Sequence, residues 1–260
     1  MTDTILTKVE GGVATLTLNR PKTMNSFDGD TARAIVDAVE AFAVDETVRT
    51  LVLASEGPVF SAGGDFNWVL TWPELDAITR KVGADSMMAA VQAVYDFPKP
   101  SIARVQGAAV GGGVGLMLAC DFAVAVSSAR FGLTSARSGL LAGIAIPVLI
   151  QAVGPRMARQ LLMHGGMFDA ATALRLGLVD QVVEADALDQ TVATLAGELM
   201  LGAPSVQTLI KRLITEIDSL PHDTNAADVL GEYVANQCVS EDALEGMSAF
   251  LEKRRPKWVP

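Results

Sequence analysis

Apolar and polar residues alternate over Ile5–Glu10 and again over Val13–Asn19, with Gly11-Gly12 between them. Period-two alternation around a two-glycine turn predicts a β-hairpin. Asn19-Arg20-Pro21-Lys22 then breaks the second strand. Ile35, Val36, Val39 and Phe42 recur at helical spacing, which predicts a helix over about residues 28–43 with Asp28 or Asp30 as its cap. Thr50–Ala54 is a short apolar run, the mark of a buried strand. Ser101–Val105, Phe122–Val126 and Ala129–Gly132 read as further short strands. A helix from about Asp85 to Asp96 stops before Pro98. Residues 66–85 hold Phe66, Trp68, Trp72 and a proline without a clean period, and are expected to form a mobile surface segment flanking a pocket. Beyond residue 140 the pattern is mostly helical, with Pro155, Asp169, Asp186, Pro204 and Glu241 near the expected helix starts. The alternation of strands and helices, followed by helices alone, predicts an α/β core to about residue 195 and a helical part after it.

Two glycine clusters interrupt this pattern just beyond expected strands: Phe60-Ser61-Ala62-Gly63-Gly64-Asp65, and Gly111-Gly112-Gly113 within the tract Gly107–Gly115. Without a Cβ, backbone N–H groups approach a ligand closely, and a helix start adds unpaired donors. Two such sites facing each other would grip an oxygen that gains negative charge, as an oxyanion hole does. The same glycines also suit plain tight turns or a phosphate cradle. No Lys-Ser/Thr follows the tract and no Gly-x-Gly-x-x-Gly spacing occurs, so neither a Walker A loop nor a dinucleotide fingerprint is present.

Composition narrows the function class. The 260 residues are 50% hydrophobic and 19% charged. The mean hydropathy of +0.34 suggests apolar surface hidden in an oligomer. Twenty Lys and Arg against 30 Asp and Glu give a net charge of −10, which argues against nucleic-acid or anionic-membrane partners. Two cysteines rule out a disulfide framework, and two histidines, His164 and His222, cannot build a multi-histidine metal site. The chain start shows no signal pattern and no run suits a membrane span, so the cytoplasm is the expected compartment.

Leu18-Asn19-Arg20-Pro21, Phe60–Asp65, Ala103–Gly113 and Glu245–Arg254 together resemble the crotonase, or enoyl-CoA hydratase/isomerase, superfamily, and the resemblance spans essentially the whole chain. Phe66-Asn67-Trp68 and Gly113-Val114-Gly115-Leu116 are similar in texture to hydratases of the methylglutaconyl-CoA and carboxygeranoyl-CoA type. The resemblance implies a crotonase-type (ClpP/crotonase) ββα spiral core over residues 1–195. A C-terminal helical trimerisation region would follow over residues 196–260, giving a homotrimer or dimer of trimers. It implies an acyl-CoA thioester substrate of fatty acid metabolism, with coenzyme A arriving as part of that substrate, no permanently bound cofactor and no metal. Gly64 and Gly112 match the positions whose N–H groups bind the thioester carbonyl. Ala62 lies where the loop meets the adenine end of CoA. Asp65 completes that loop as a structural acid. Phe250 and Lys253 match CoA contacts that often cross a subunit boundary, and Lys22 is a candidate cation for a CoA phosphate.

Hydratases of this superfamily use two glutamates to position a water and protonate the α-carbon. The matching positions here are Gly115 and Ser135, so both carboxylates are absent. A positioned acid or base contributes about 10²–10⁴ in rate. Hydration is therefore doubtful, while enolate stabilisation remains open. Glu74 and Asp76 are substitute acids to consider, Arg137 is a candidate either to pair with an acidic acyl group or to bridge subunits, and Gly143 stands where a dehalogenase would need its acid. Restoring Gly115→Glu with Ser135→Glu is expected to raise hydration of crotonyl-CoA in a competent scaffold. Two alternatives stand beside an enzyme of this family: an acyl-CoA-binding pseudoenzyme, and a serine hydrolase using Ser61 or Ser135.

Overall fold

The computed structural model describes residues 3–221 and 225–259; His222 lies outside them. Strands β1 (Ile5–Glu10) and β2 (Val13–Leu18) form the expected antiparallel hairpin, with Gly11 and Gly12 both at positive φ. β1 is exposed along most of its length, and β2 alternates between buried and half-buried positions, so the hairpin lies at one edge of a sheet. Helix α1 (Gly29–Val44) starts at Asp28, whose side chain accepts from Thr31 N, and its Ile35, Val39 and Phe42 enter the core.

Three successive ββ turns then build the body. β3 (Thr50–Ser55) is followed by β4 (Val59–Ser61), the short helix α2 (Phe66–Val69) and the long helix α3 (Ala77–Tyr95). β5 (Ser101–Val105) is followed by β6 (Ala108–Val110) and α4 (Gly112–Leu118). β7 (Phe122–Val126) is followed by β8 (Arg130–Gly132) and α5 (Ile146–His164). The first strand of each turn joins the hairpin in a six-stranded sheet, ordered β1-β2-β3-β5-β7-β10; the second strands form another sheet, ordered β4-β6-β8-β9. This is the α/β ββα spiral that the sequence predicts. β3 is buried at every position, as a strand covered on both faces must be.

Helix α3 starts eight residues before the expected Asp85. Asp76 accepts hydrogen bonds from the N–H groups of Ile78 and Thr79 and so caps it. Its first turns stand in solvent, with Ile78 77% and Val82 59% exposed, so no apolar stripe was required there. Residues 66–85, expected as a surface segment, hold α2, a turn and the first turns of α3. Trp68 and Trp72 meet edge to face at 5.1 Å, and the Trp68 ring is seated against Gly29 and Gly83. Helix α5 leaves helical geometry at Gly154, φ 72, and resumes at Pro155, which agrees with a helix start there.

β9 (Met167–Asp169), α6 (Ala170–Arg175), β10 (Gln181–Val183) and α7 (Leu188–Leu199) complete the body. Helices α8 (Pro204–Asp218), α9 (Ala226–Gln237) and α10 (Glu241–Glu252) follow, and neither α8 nor α9 buries a residue. Arg49 ties this end of the chain down. It donates to the carbonyls of Trp258 at 2.9 Å, Gly202 at 2.8 Å and Met200 at 3.3 Å. Burial lowers its pKa from the ordinary guanidinium value. Arg49→Ala should loosen the C-terminal segment, costing about 1.5–3 kcal/mol for lost charged hydrogen bonds. Faster amide exchange over residues 200–202 would check it.

Candidate functional site

β4, β6 and β8 run parallel, with Ser61 beside Ala109 and Val110 beside Gly132. The turns leaving their C-terminal ends therefore converge, and ligands favour such ends in parallel sheets. These three turns carry Ala62–Asp65, Gly111–Gly115 and Leu133–Ser135. The convergence is tight. A Cβ on Gly63 would lie 2.7 Å from Gly112 N and 2.7 Å from Val110 O, and one on Gly113 would lie 2.9 Å from Ser61 Cβ. The two glycine clusters thus touch, main chain against main chain.

Gly64 sits in an isolated parallel bridge with Phe27: Phe27 N donates to Gly63 O at 2.8 Å, and Asp65 N donates to Phe27 O at 3.1 Å. That pairing uses the residues either side of Gly64 and leaves its own N–H out. Gly112 is the first residue of α4, where N–H groups have no helical partner. Neither N–H has an acceptor among the described residues. The walls are apolar. Met87 Sδ would stand 3.4 Å from a Cβ on Gly64, and Phe27 and Ile144 press on the Gly112 position.

Three acids around the turns, Asp65, Asp28 and Asp76, are committed elsewhere. Asp65 is 5% exposed; it accepts from Asn67 N at 2.9 Å and pairs with Arg20 at 3.0 Å. Burial pushes the Asp28 carboxyl up, but hydrogen bonds from Thr31 and the Arg20 charge outweigh it and hold the group below its ordinary value. The Thr79 and Ile78 hydrogen bonds likewise hold Asp76 below the usual range, as a helix cap. Glu74 lies exposed in the turn before α3.

The two positions of the usual glutamates differ. Gly115 is buried, and a Cβ there would be 3.3 Å from Ala145 Cα and 3.4 Å from Ile144 O. Lacking a side chain at 115, α4 packs directly on the 143–145 segment, a role that sequence reasoning missed. Ser135 is half-buried; its Oγ would lie 3.8 Å from a Cβ on Gly111 and has no hydrogen-bond partner among the described residues. Ser61 is fully buried, donating to Asn25 O and accepting from Gly63 N, so its hydroxyl cannot serve as a nucleophile. Arg137 is exposed and donates through Nε to His164 O at 3.2 Å, at the C-terminus of α5. His164 is the last residue of that helix.

The remaining predicted residues are scattered. Ala62 N donates to Met24 O at 2.9 Å, and Lys22 is exposed in the turn Pro21–Thr23. Phe250 is 82% exposed, and Lys253 ends α10 in the left-handed conformation, exposed. Residues 245–258 are folded together by Glu245, whose carboxyl Arg254 and Lys257 hold down at about 2. Among the described residues no group of three or more His, Cys, Asp or Glu could hold a metal ion. No helix among them is long and apolar enough to cross a membrane.

The family model described as "Enoyl-CoA hydratase/isomerase" matches residues 8–259. The crotonyl-CoA hydratase of Syntrophomonas wolfei is 34% identical over 260 residues, covering 99% of this chain and 98% of that protein. The 1,2-epoxyphenylacetyl-CoA isomerase of Escherichia coli is 33% identical over 261 residues, covering 100% and 99%. The crystal structure of an enoyl-CoA hydratase from Shewanella pealeana superposes with a TM-score of 0.93 at 32% identity, covering 98% of this chain and 96% of that one.

Proposed function

The chain belongs to the enoyl-CoA hydratase/isomerase family, and from that premise we propose that it binds an acyl-CoA thioester and stabilises its enolate on the N–H groups of Gly64 and Gly112. The observation that carries this reading is the pair of touching glycine turns with both N–H groups unpaired. One such donor is worth roughly 2.7–4 kcal/mol of transition-state stabilisation. Ala62, Lys22 and the Asp65-braced loop receive the CoA portion. Phe250 and Lys253 complete that site from a neighbouring subunit. Residues 1–195 form the thioester-binding unit and 196–260 the helices that join subunits in a homotrimer or dimer of trimers. Ile210, Ile214 and Val234 support that role, being 50%, 65% and 60% exposed.

With Gly115 and Ser135 in place of glutamates, the chemistry is isomerisation or another enolate reaction in which substrate or water supplies the proton. Phe66-Asn67-Trp68 keeps branched, methylglutaconyl-type thioesters among the substrates to try. A panel of straight and branched enoyl-CoA and dienoyl-CoA thioesters tests the reading, with turnover expected on at least one. Binding of acyl-CoA by calorimetry without turnover on any would favour a second reading, an acyl-CoA-binding pseudoenzyme; the closed space at Gly115 supports that alternative. No binding of CoA or acyl-CoA would sink both.

A further inference from the structure

We propose that Arg20 is the positioning residue of the thioester-binding turn, holding the Gly64 N–H in its donor direction. The assignment rests on the reading of Gly64 and Gly112 as carbonyl donors. Arg20 follows β2, and its side chain is 20% exposed. Its guanidinium donates to Ser26 O at 2.6 Å and to Asp65 Oδ2 at 3.0 Å, and lies 3.1 Å from Asp28 Oδ2. The placement of those two carboxylates is what matters. Asp28 is next in the chain to Phe27, and Asp65 is next to Gly64, and Phe27 and Gly64 are the bridge pair. One fork of N–H groups therefore holds together the residues that follow both partners of the bridge.

Each carboxylate is anchored on its other oxygen. Asp28 Oδ1 accepts from Thr31 N and Thr31 Oγ1, and Asp65 Oδ1 accepts from Asn67 N. The brace thus runs from the start of α1 through Arg20 to the start of α2, with Gly64 at its centre. Without the guanidinium, two carboxylates converging on one point would repel and push the turns apart. A lysine would keep the charge but not the planar fork that reaches both acids and Ser26 O. The buried Asp65 is explained as well, since a carboxylate removed from water needs such a partner.

The test reads the direction of the donor itself, not stability alone. Butyryl-CoA labelled with carbon-13 at the carbonyl cannot be hydrated, and its carbonyl stretch falls when the oxygen accepts hydrogen bonds. The unaltered protein should lower that stretch. Arg20→Lys and Asp65→Asn should each return at least half of the shift and weaken butyryl-CoA binding by about tenfold. A full shift kept in whichever of these variants folds, checked by circular dichroism, overturns the role of Arg20 alone. No shift in the unaltered protein overturns the donor reading of Gly64 and Gly112, and this assignment with it.

Discussion

Gly63→Ala should lower turnover of any thioester substrate, or the polarisation of a bound thioester, by about 10²–10³, the loss expected for one displaced oxyanion donor. Gly63 has φ +86, and its missing Cβ leaves room for Gly112 N and Val110 O, each 2.7 Å from where that atom would be. Both neighbours are main chain, so no side-chain rotation relieves the clash. The β4 turn must part from the β6 turn, and the two proposed donors part with it. The left-handed backbone adds about 1–2 kcal/mol of strain, and overpacking adds about 1–3 kcal/mol. Denaturant unfolding should therefore show a lower midpoint in a chain that still folds. Gly64→Ala is the control. Its φ is unrestricted by handedness, and the new Cβ meets only Met87 Sδ at 3.4 Å, so stability should change by about 0.5 kcal/mol or less. A harmless Gly63→Ala would remove the requirement for contact between the two turns.

That contact shows what was legible in the chain and what was not. Each glycine cluster, and its place beyond a strand, could be read from local pattern, because turns and helix starts are local features. So could the hairpin, β3 and the cap at Asp28. Their meeting was only a condition in the sequence reading. It follows from β4 and β6 running parallel in one sheet, a pairing between residues nearly fifty positions apart. The first turns of α3 were misread for the opposite reason. They face solvent, and periodicity reports a helix only where one face is buried. In the sequence Arg20 stands out only within the Leu18-Asn19-Arg20-Pro21 motif, as a strand break and a mark of the family resemblance. Its partners lie up to 45 residues away, and no spacing in the sequence points to them.

Restoring the two acids should fail to restore hydration, and the reason is the wall behind Gly115. In an open site, Gly115→Glu with Ser135→Glu would raise crotonyl-CoA hydration by about 10²–10⁴. Here a Cβ at 115 already meets Ala145 Cα at 3.3 Å, Ile144 O at 3.4 Å and Ala145 Cβ at 3.5 Å. Two of those three atoms are backbone, and Ala145 is fully buried. An alanine could be accommodated with small shifts; the longer glutamate would have to displace the 143–145 segment. It would also bring its carboxyl against Ile144 and the fully buried Ala145. Overpacking of about 1–3 kcal/mol and a buried, unpaired acid worth several kcal/mol more should lower stability sharply. Ser135 differs, being half-buried with a hydroxyl that has no hydrogen-bond partner among the described residues. Ser135→Glu alone should fold normally and speed exchange of the α-protons of bound butyryl-CoA for deuterium by about tenfold or more, since a base then stands near the proposed enolate. The comparison to make is therefore hydration and α-proton exchange in the single and double variants, with their unfolding midpoints. If the double variant hydrates crotonyl-CoA well above the single one, the 143–145 segment yields to a glutamate. The absence of an acid at 115 would then be a matter of that one residue and not of the packing around it.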